Sequence, residues 1–465
     1  LVPLGGHAPL ERTGSSLAAL TGDTVADALV AARPSARVFS FSLKDRGALF
    51  GGGRRPELTL WLDTECGTFV TSTAFTAVVP AWVAPFGDAA ALTRGRGQAW
   101  QPLDAAWLAV HAETPDDQVG EGDYLGLGVA FPHRATSVKA QRATPLGDQW
   151  LFGLAGAAAA RAAAGPRDAP VLLALSLSSN DYIAHVFGPN SWEVWDELLR
   201  LDRGLAELLV SLDGLVGPNG YAVMLTGDHG SNPLPEIARA GQGRWCHTTS
   251  GAVGVAATDV WQRPCGQGRR LAPREIADAL EGEARALFGG TVEGGGDAKW
   301  IAGVSEPFVY FSPRGRALSP ADRAALLGRA EALLRQRYDV ARVVDVRDAP
   351  AACPPEADDS LAALICRSIR RDQRGDFYVV PAPGTFFDAE LTDGGGTSHG
   401  SPYLYDRAVP LLVRAPGRIP AGAIESAPVS FSAFARTAAV LLGVPPPAAA
   451  AAGRDLTSSS PNRDP

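Results

Sequence analysis

The sequence predicts an α/β fold: a doubly wound, mostly parallel sheet with helices on both faces, carrying a cap inserted late in the chain. Three observations predict it. Short, nearly unbroken apolar runs recur, a long amphipathic stretch separates two of them, and motifs rich in Asp and His follow the runs directly. The first element is a helix that Thr24 caps, running through V-A-D-A-L-V-A-A to Pro34. V-F-S-F-S-L (38–43) then reads as a strand. V-L-L-A-L-S-L (171–177) is almost continuously apolar, as expected of a parallel strand covered on both faces. A-V-M-L-T (222–226) and A-V-P-L-L-V (408–413) are of the same kind. Between 177 and 222, Trp195, Leu198, Leu201, Leu205, Leu208 and Leu212 recur at three- and four-residue steps, the apolar stripe of one helix. Strand–helix–strand alternation is the pattern of a doubly wound sheet.

Residues 1–240 and 391–450 are therefore assigned to the α/β core. Residues 241–390 interrupt the pattern with Gly-rich turns (G-G-T-V-E-G-G-G, 289–296) and an amphipathic helix around 319–334, and are read as an insert or cap. The alanine- and proline-rich end leads into a tail, 451–465, expected to be flexible. Cys246/Cys265 and Cys353/Cys366 are spaced for two local disulfides, with buried free thiols as the alternative, and Cys66 is left over.

Composition narrows the function. The chain has 465 residues, 46% of them hydrophobic, enough for a large core. A net charge of -8 leaves no broad basic field for nucleic acid or an anionic membrane. No apolar stretch is long enough to span a bilayer. The oligomeric state has no signature, and a monomer is the default. No signal peptide is visible, but the first residue is Leu1 rather than Met, which predicts a mature product or a partial one.

The chemistry lies at the strand ends. Asp181 and His185, in S-S-N-D-Y-I-A-H, stand four apart after a strand; on a helical turn both side chains share one face and grip one cation. Asp228 and His229, in T-G-D-H-G, are adjacent and sit at a tight turn, where they serve either one metal or two neighbouring ones. His399, in T-S-H-G-S, lies among glycines that let the backbone bend closely. Ligands of open α/β sheets bind beyond the carboxyl ends of the strands, so the three loops are expected to meet there. Imidazole and carboxylate without thiolate suit zinc, with manganese as the alternative. Lys44 and Arg46, in L-K-D-R, follow the strand 38–43. By strand alternation they share a face, from which they would clamp the oxygens of a phosphate. His247 is a weaker substrate-side candidate, and His7, His111 and His133 fit no ligand spacing.

These motifs resemble the alkaline phosphatase superfamily, most closely its phosphate-irrepressible alkaline phosphatases and the related nucleotide pyrophosphatase/phosphodiesterases. The likeness is carried by N-D-Y-I-A-H-V-F-G-P-N-S, T-G-D-H-G, S-H-G-S-P-Y-L-Y-D-R-A-V-P, and by F-S-L-K-D-R-G-A with the following W-L-D-T-E-C-G-T-F-V. The resemblance implies a two-zinc phosphoric monoester hydrolase. Asp181, His185 and His399 would hold one zinc, Asp228 and His229 the other, and Lys44 and Arg46 would bind the phosphoryl oxygens. It implies attack on phosphorus by a Thr or Ser alkoxide, a covalent phosphoenzyme and its hydrolysis. It also implies a periplasmic or secreted location. The pattern departs in one respect. The family places a metal-binding Asp and the Thr/Ser nucleophile ahead of the K-D-R strand, and the 43 residues before Lys44 offer neither. Asp23 and Thr24 read as a helix cap, and Thr71 and Thr73 belong to the hairpin. The nucleophile is thus expected to lie outside this chain. A phosphodiesterase of the same superfamily and a non-catalytic phosphate-ester binder are the alternatives; sulfatase and mutase relatives lack the K-D-R strand.

Overall fold

The computed structural model describes the chain except for residues 5–8, 88–97, 167, 241–267, 291–298, 348, 351, 356–357, 371, 373, 389–394, 426 and 459–465. His7, His247 and the Cys246/Cys265 pair lie outside the described residues, as do parts of the glycine-rich turns at 289–296.

The first helix, α1 (Val25–Ala32), begins as the sequence requires. Thr24 Oγ1 accepts from the amide of Asp27, and Asp27 answers by accepting from the amide of Thr24, a closed capping box. The central sheet has five strands. β1 (Val2–Pro3), β2 (Arg37–Ser42), β3 (Leu58–Asp63), β4 (Thr68–Thr71) and β5 (Val171–Ser176) stand in the spatial order β1-β4-β3-β2-β5. β2 is parallel to both β3 and β5, while the β3–β4 and β1–β4 pairs are antiparallel. Helices cover both faces. On one, Leu151 and Leu154 of α3 (Pro145–Ala163) pack on Phe39, Phe41 and Leu60. On the other lies α2 (Asp45–Gly52), whose Gly47 and Gly51 let it approach closely. A Cβ on Gly47 would meet the hydroxyls of Ser42 and Ser176 at 2.6 Å, and one on Gly51 would meet Ser40 Oγ at 2.6 Å.

Three expectations change. The run 171–177 forms β5, but it closes one side of the sheet instead of sitting inside it. Its residues are half-buried, and Val171 is exposed. The last two predicted strands, β6 (Val223–Thr226) and a strand at Leu411–Arg414, pair with each other and antiparallel, as a separate two-stranded ribbon. The predicted helix is α5 (Trp192–Val216), yet its leucine stripe is only partly covered, with Leu198 exposed. The face it buries near its start carries Glu193, Asp196 and Glu197. Asp196 is held by partners: it accepts from Trp100 Nε1 (2.6 Å), the Leu103 amide (2.6 Å) and Arg200 Nε (2.7 Å).

The insert has its own core. α6 (Pro273–Phe288) and α7 (Pro320–Arg337) pack on a four-stranded antiparallel sheet of β7 (Ile301–Ser305), β8 (Phe308–Phe311), β9 (Val340–Asp345) and β10 (Phe377–Pro381), through Ile276, Leu280, Leu326, Leu334 and Phe377 among others. Cys353 and Cys366 are disulfide-bonded, and Cys66 is a free thiol. The tail expected from residue 451 is held as far as 458. Gly453 lies against Ser432, and the Leu456 amide donates to Thr437 Oγ1 (3.0 Å), both partners belonging to the helix Phe431–Leu442. Among the described residues, no helix is long and apolar enough to cross a membrane.

Candidate metal and phosphate site

Asp181 and His185 stand on α4 (Ser179–Phe187), which starts directly after β5. One turn separates them, so their side chains meet on one face, with His185 Nε2 3.5 Å from Asp181 Oδ1. His229, from the turn after β6, brings its Nε2 within 3.5 Å of the same oxygen, and His399 brings its Nε2 within 3.8 Å. Asp181, His185 and His399 each place a ligand atom within 4.8 Å of the others. The rings of His229 and His399 lie nearly parallel, 3.5 Å apart at their centroids.

The imidazoles are oriented from behind. His185 Nδ1 donates to the Thr397 carbonyl (2.8 Å), and His229 Nδ1 donates to the Gly230 carbonyl (2.9 Å). A carbonyl only accepts, so each ring carries a proton on Nδ1 and turns Nε2, the nitrogen that would bind a metal, toward Asp181. The ligand-bearing loops are laced together. Gly230 N donates to the Asp406 carbonyl (2.8 Å), Asn232 N to the Ser398 carbonyl (3.1 Å) and Thr397 Oγ1 to the Asn232 carbonyl (3.0 Å). The Asp406 carboxylate takes the Ser401 amide at 2.7 Å, and burial pushes its titration up to about 6.

Electrostatics suit a cation. Burial works to raise the Asp181 carboxyl, but His185, Lys44 and His229 together hold it below the usual range. His399 is pushed down to about 4 by burial and by His229 and His185, so it is neutral at ordinary pH. A carboxylate facing three imidazoles is a nitrogen–oxygen donor set of the kind zinc takes, and the residues present fit such an ion.

Lys44 pairs with Asp181 Oδ2, while Oδ1 faces the imidazoles, so the two oxygens of one carboxylate serve different partners. Arg46 does not share a strand face with it. The strand ends at Ser42, Lys44 is the N-cap, and Arg46 is in the first turn of α2, exposed. The alternation argument failed because the helix starts at Asp45. Asp228 is also exposed; its side chain is 88% accessible, with Oδ2 3.6 Å from His229 Nε2. The structure thus gathers Asp181, His185, His229, His399 and Lys44, and leaves Asp228 and Arg46 at the rim.

Two residues escaped the sequence reading. The Lys44 ammonium lies 4.7 Å from the ring centroid of Tyr182, and the Arg142 guanidinium lies 4.3 Å from it. Arg142 also donates to the hydroxyls of Tyr182 (3.1 Å) and Tyr124 (2.8 Å). Tyr182 is adjacent to Asp181 and could have been asked about, whereas Arg142 stands in A-Q-R-A-T-P with no motif to mark it.

The fold and this cluster define a phosphoesterase-like α/β protein, and comparison with known families agrees. Residues 110–402 match the family "Type I phosphodiesterase / nucleotide pyrophosphatase", and the chain belongs to that family, within the alkaline phosphatase superfamily. Among individual relatives, it is 35% identical to alkaline phosphatase PafA of Elizabethkingia meningoseptica over 221 residues, 46% of this chain and 40% of that one. It is 26% identical to a protein of Myroides odoratus named calcium-transporting ATPase over 402 residues, 84% of this chain and 66% of that one. The crystal structure of wild-type PafA superposes with a TM-score of 0.72 at 25% identity, covering 94% of this chain and 77% of that one. The matched segments thus span 40% to 66% of the length of these two sequence relatives.

Proposed function

We propose that this chain carries the metal and phosphate site of a two-zinc phosphoric monoester hydrolase. The observation that carries the reading is the convergence of the Nε2 atoms of His185, His229 and His399 on one oxygen of Asp181, at 3.5, 3.5 and 3.8 Å. Asp181, His185 and His399 would hold one zinc, and Asp228 and His229 would contribute to the other. Bound zinc would supply Lewis-acid stabilisation of charge on oxygen. Lys44 is a compact cation at the mouth of the site, and Arg46 is the exposed one beside it. Both supply positive charge for the non-bridging oxygens of a phosphoryl group. The attacking Thr or Ser is expected from sequence outside the motifs found here.

A second reading, hydrolysis of phosphodiesters, is favoured by the name of the matching family. Charge decides between them, because a monoester dianion gains more from two cations than a diester monoanion. With the whole coding sequence expressed, the Lys44→Ala/Arg46→Ala double variant should lose monoesterase activity far more than diesterase activity on paired aryl phosphate substrates. Equal losses would overturn the monoesterase reading. Phosphate binding with zinc but no turnover on either substrate would instead support a non-catalytic binder. Metal analysis should return two zinc ions per wild-type chain and fewer in His185→Ala. We also infer export to the periplasm or medium, with which the Cys353–Cys366 disulfide is consistent.

A further inference from the structure

The sequence holds three lysines, Lys44, Lys139 and Lys299, and the last two are exposed. Lys44 is not: only 14% of its side chain is accessible. Its ammonium pairs with Asp181 Oδ2 and lies 4.7 Å from the centroid of the Tyr182 ring. The two neighbours behave differently once the site is loaded. Asp181 carries the oxygen on which three imidazoles converge, so a metal ion held there draws on the same carboxylate as Lys44. A phosphoryl group would compete from the other direction, by taking the ammonium for itself. The ring takes part in neither competition. Its face attracts a cation through a quadrupole and leaves the charge unneutralised.

Tyr182 is itself held in place. Arg142 caps the short helix Val138–Gln141 and brings its guanidinium 4.3 Å from the centroid of the ring. Its Nη1 donates to the Tyr182 hydroxyl (3.1 Å) and its Nη2 to the Tyr124 hydroxyl (2.8 Å). Among the described residues no carboxylate pairs with Arg142, so the guanidinium stays committed to the two tyrosines. Both tyrosines also pack on one buried apolar cluster, Leu127, Ala135, Ala140 and Ala143. The ring is thus fixed at its hydroxyl and against a packed wall.

A lysine ammonium is a point charge on a flexible stem, and it wanders unless something limits it. We propose that Tyr182 is the positioning residue for Lys44 and that Arg142 acts through it, the ring keeping the ammonium at the site when metal and phosphate compete for its other contacts. The inference rests on the phosphate-binding role proposed above for Lys44. It adds a chain of four side chains, Tyr124, Arg142, Tyr182 and Lys44, that runs from a packed wall to the carboxylate of Asp181.

The test is a calorimetric titration of zinc-loaded protein with inorganic phosphate, run as a double-mutant cycle. Tyr182→Leu should weaken phosphate about three- to thirtyfold, the range of a partly buried cation–ring contact. In a Lys44→Ala background the same substitution should cost nothing further, because no ammonium is left to place. Tyr182→Phe keeps the ring and should stay close to wild type, with Arg142→Met between the two. Unchanged phosphate affinity in Tyr182→Leu overturns the proposal. So does a loss that is as large without Lys44 as with it, which marks a structural role. One measurement needs no tyrosine variant. In protein labelled with carbon-13 lysine, the ε-methylene resonance of Lys44, assigned by Lys44→Arg, should lie upfield of those of Lys139 and Lys299. It should stay there when zinc and phosphate are added. A Lys44 resonance among those of the exposed lysines, before or after phosphate, overturns the proposal. Wild-type protein that binds zinc but not phosphate overturns the phosphate-binding role itself, and the positioning role with it.

Discussion

The two sheets that meet at the site are built to different standards. In β2 every residue from Val38 to Ser42 is buried, with Phe39 and Phe41 fully so. In the ribbon, every residue of β6 is half-buried, and in its partner strand Leu412 is 57% exposed. Lys44 is mounted on the first sheet and His229 on the second. One side of the site is therefore held by core packing. The other is held by hydrogen bonds between loops, through Asp406, Asn232 and Thr397. The convergence of these side chains does not demand a packed strand beneath each one; polar lacing can stand in for it.

The largest expected effect tests the packed side. Phe41→Ala should destabilise the chain by about 3–5 kcal/mol, and Leu225→Ala in the ribbon by less than about half of that, both read by urea denaturation. Equal losses would mean that the ribbon is packed as well as the sheet. Asp406→Ala tests the laced side. It strips the Ser401 amide of its acceptor and should cost about 2 kcal/mol, while lowering zinc affinity by about 10- to 100-fold in a competition titration. Unchanged zinc affinity would separate the lacing from ligand geometry.

A smaller effect concerns the helix that carries Asp181. Asp148 of α3 is buried and accepts from the Ser179 amide at the start of α4 (3.1 Å). It is pushed up to about 6 by burial. Glu197 is raised by burial and by the charge of Asp148. Both titrate higher folded than unfolded, so the folded chain holds the extra protons from about pH 4 upward, and stability falls as pH rises through that window. Asp148→Asn keeps an acceptor for Ser179 and removes one charge of the pair. Its gain in thermal stability over wild type should be greater at pH 8 than at pH 5, by about 1–2 kcal/mol; equal gains would refute the buried charge pair. The smallest effect is Thr24→Ala, which opens the capping box far from the site. It should cost about 1 kcal/mol and leave zinc binding untouched.

Much of this was legible in the sequence, for identifiable reasons. β2, β5, β6 and α5 announce themselves by apolar periodicity, and T-G-D-H-G and S-H-G-S mark the histidines that the fold brings beside Asp181. Burial was less legible. The run 171–177 looks like an interior strand, because periodicity reports which residues are apolar and not which neighbours a strand receives. The buried face of α5 was misread for the converse reason. Glu193, Asp196 and Glu197 are acidic on the page and buried in the fold, and only their partners (His133, Trp100, Asp148) explain why. Arg46 was misplaced because the strand stops at Ser42 and a helix begins at Asp45, before the alternation can reach Arg46.

Arg270 links the insert to everything above. It leaves the short strand Arg270–Leu271 with its side chain 8% exposed, donates to the carbonyls of Gly396 (2.7 Å) and Gly120 (3.2 Å), and pairs with Glu236 (3.0 Å). This guanidinium gives the insert a fixed plug in a fixed socket, and the socket is made of backbone carbonyls and one acid. Residues beyond 271 can then be changed without disturbing the contacts to Gly120, Gly396 and Glu236, as long as the arginine is kept. Chimeras that graft another insert should retain their metal when the graft carries an arginine at this point.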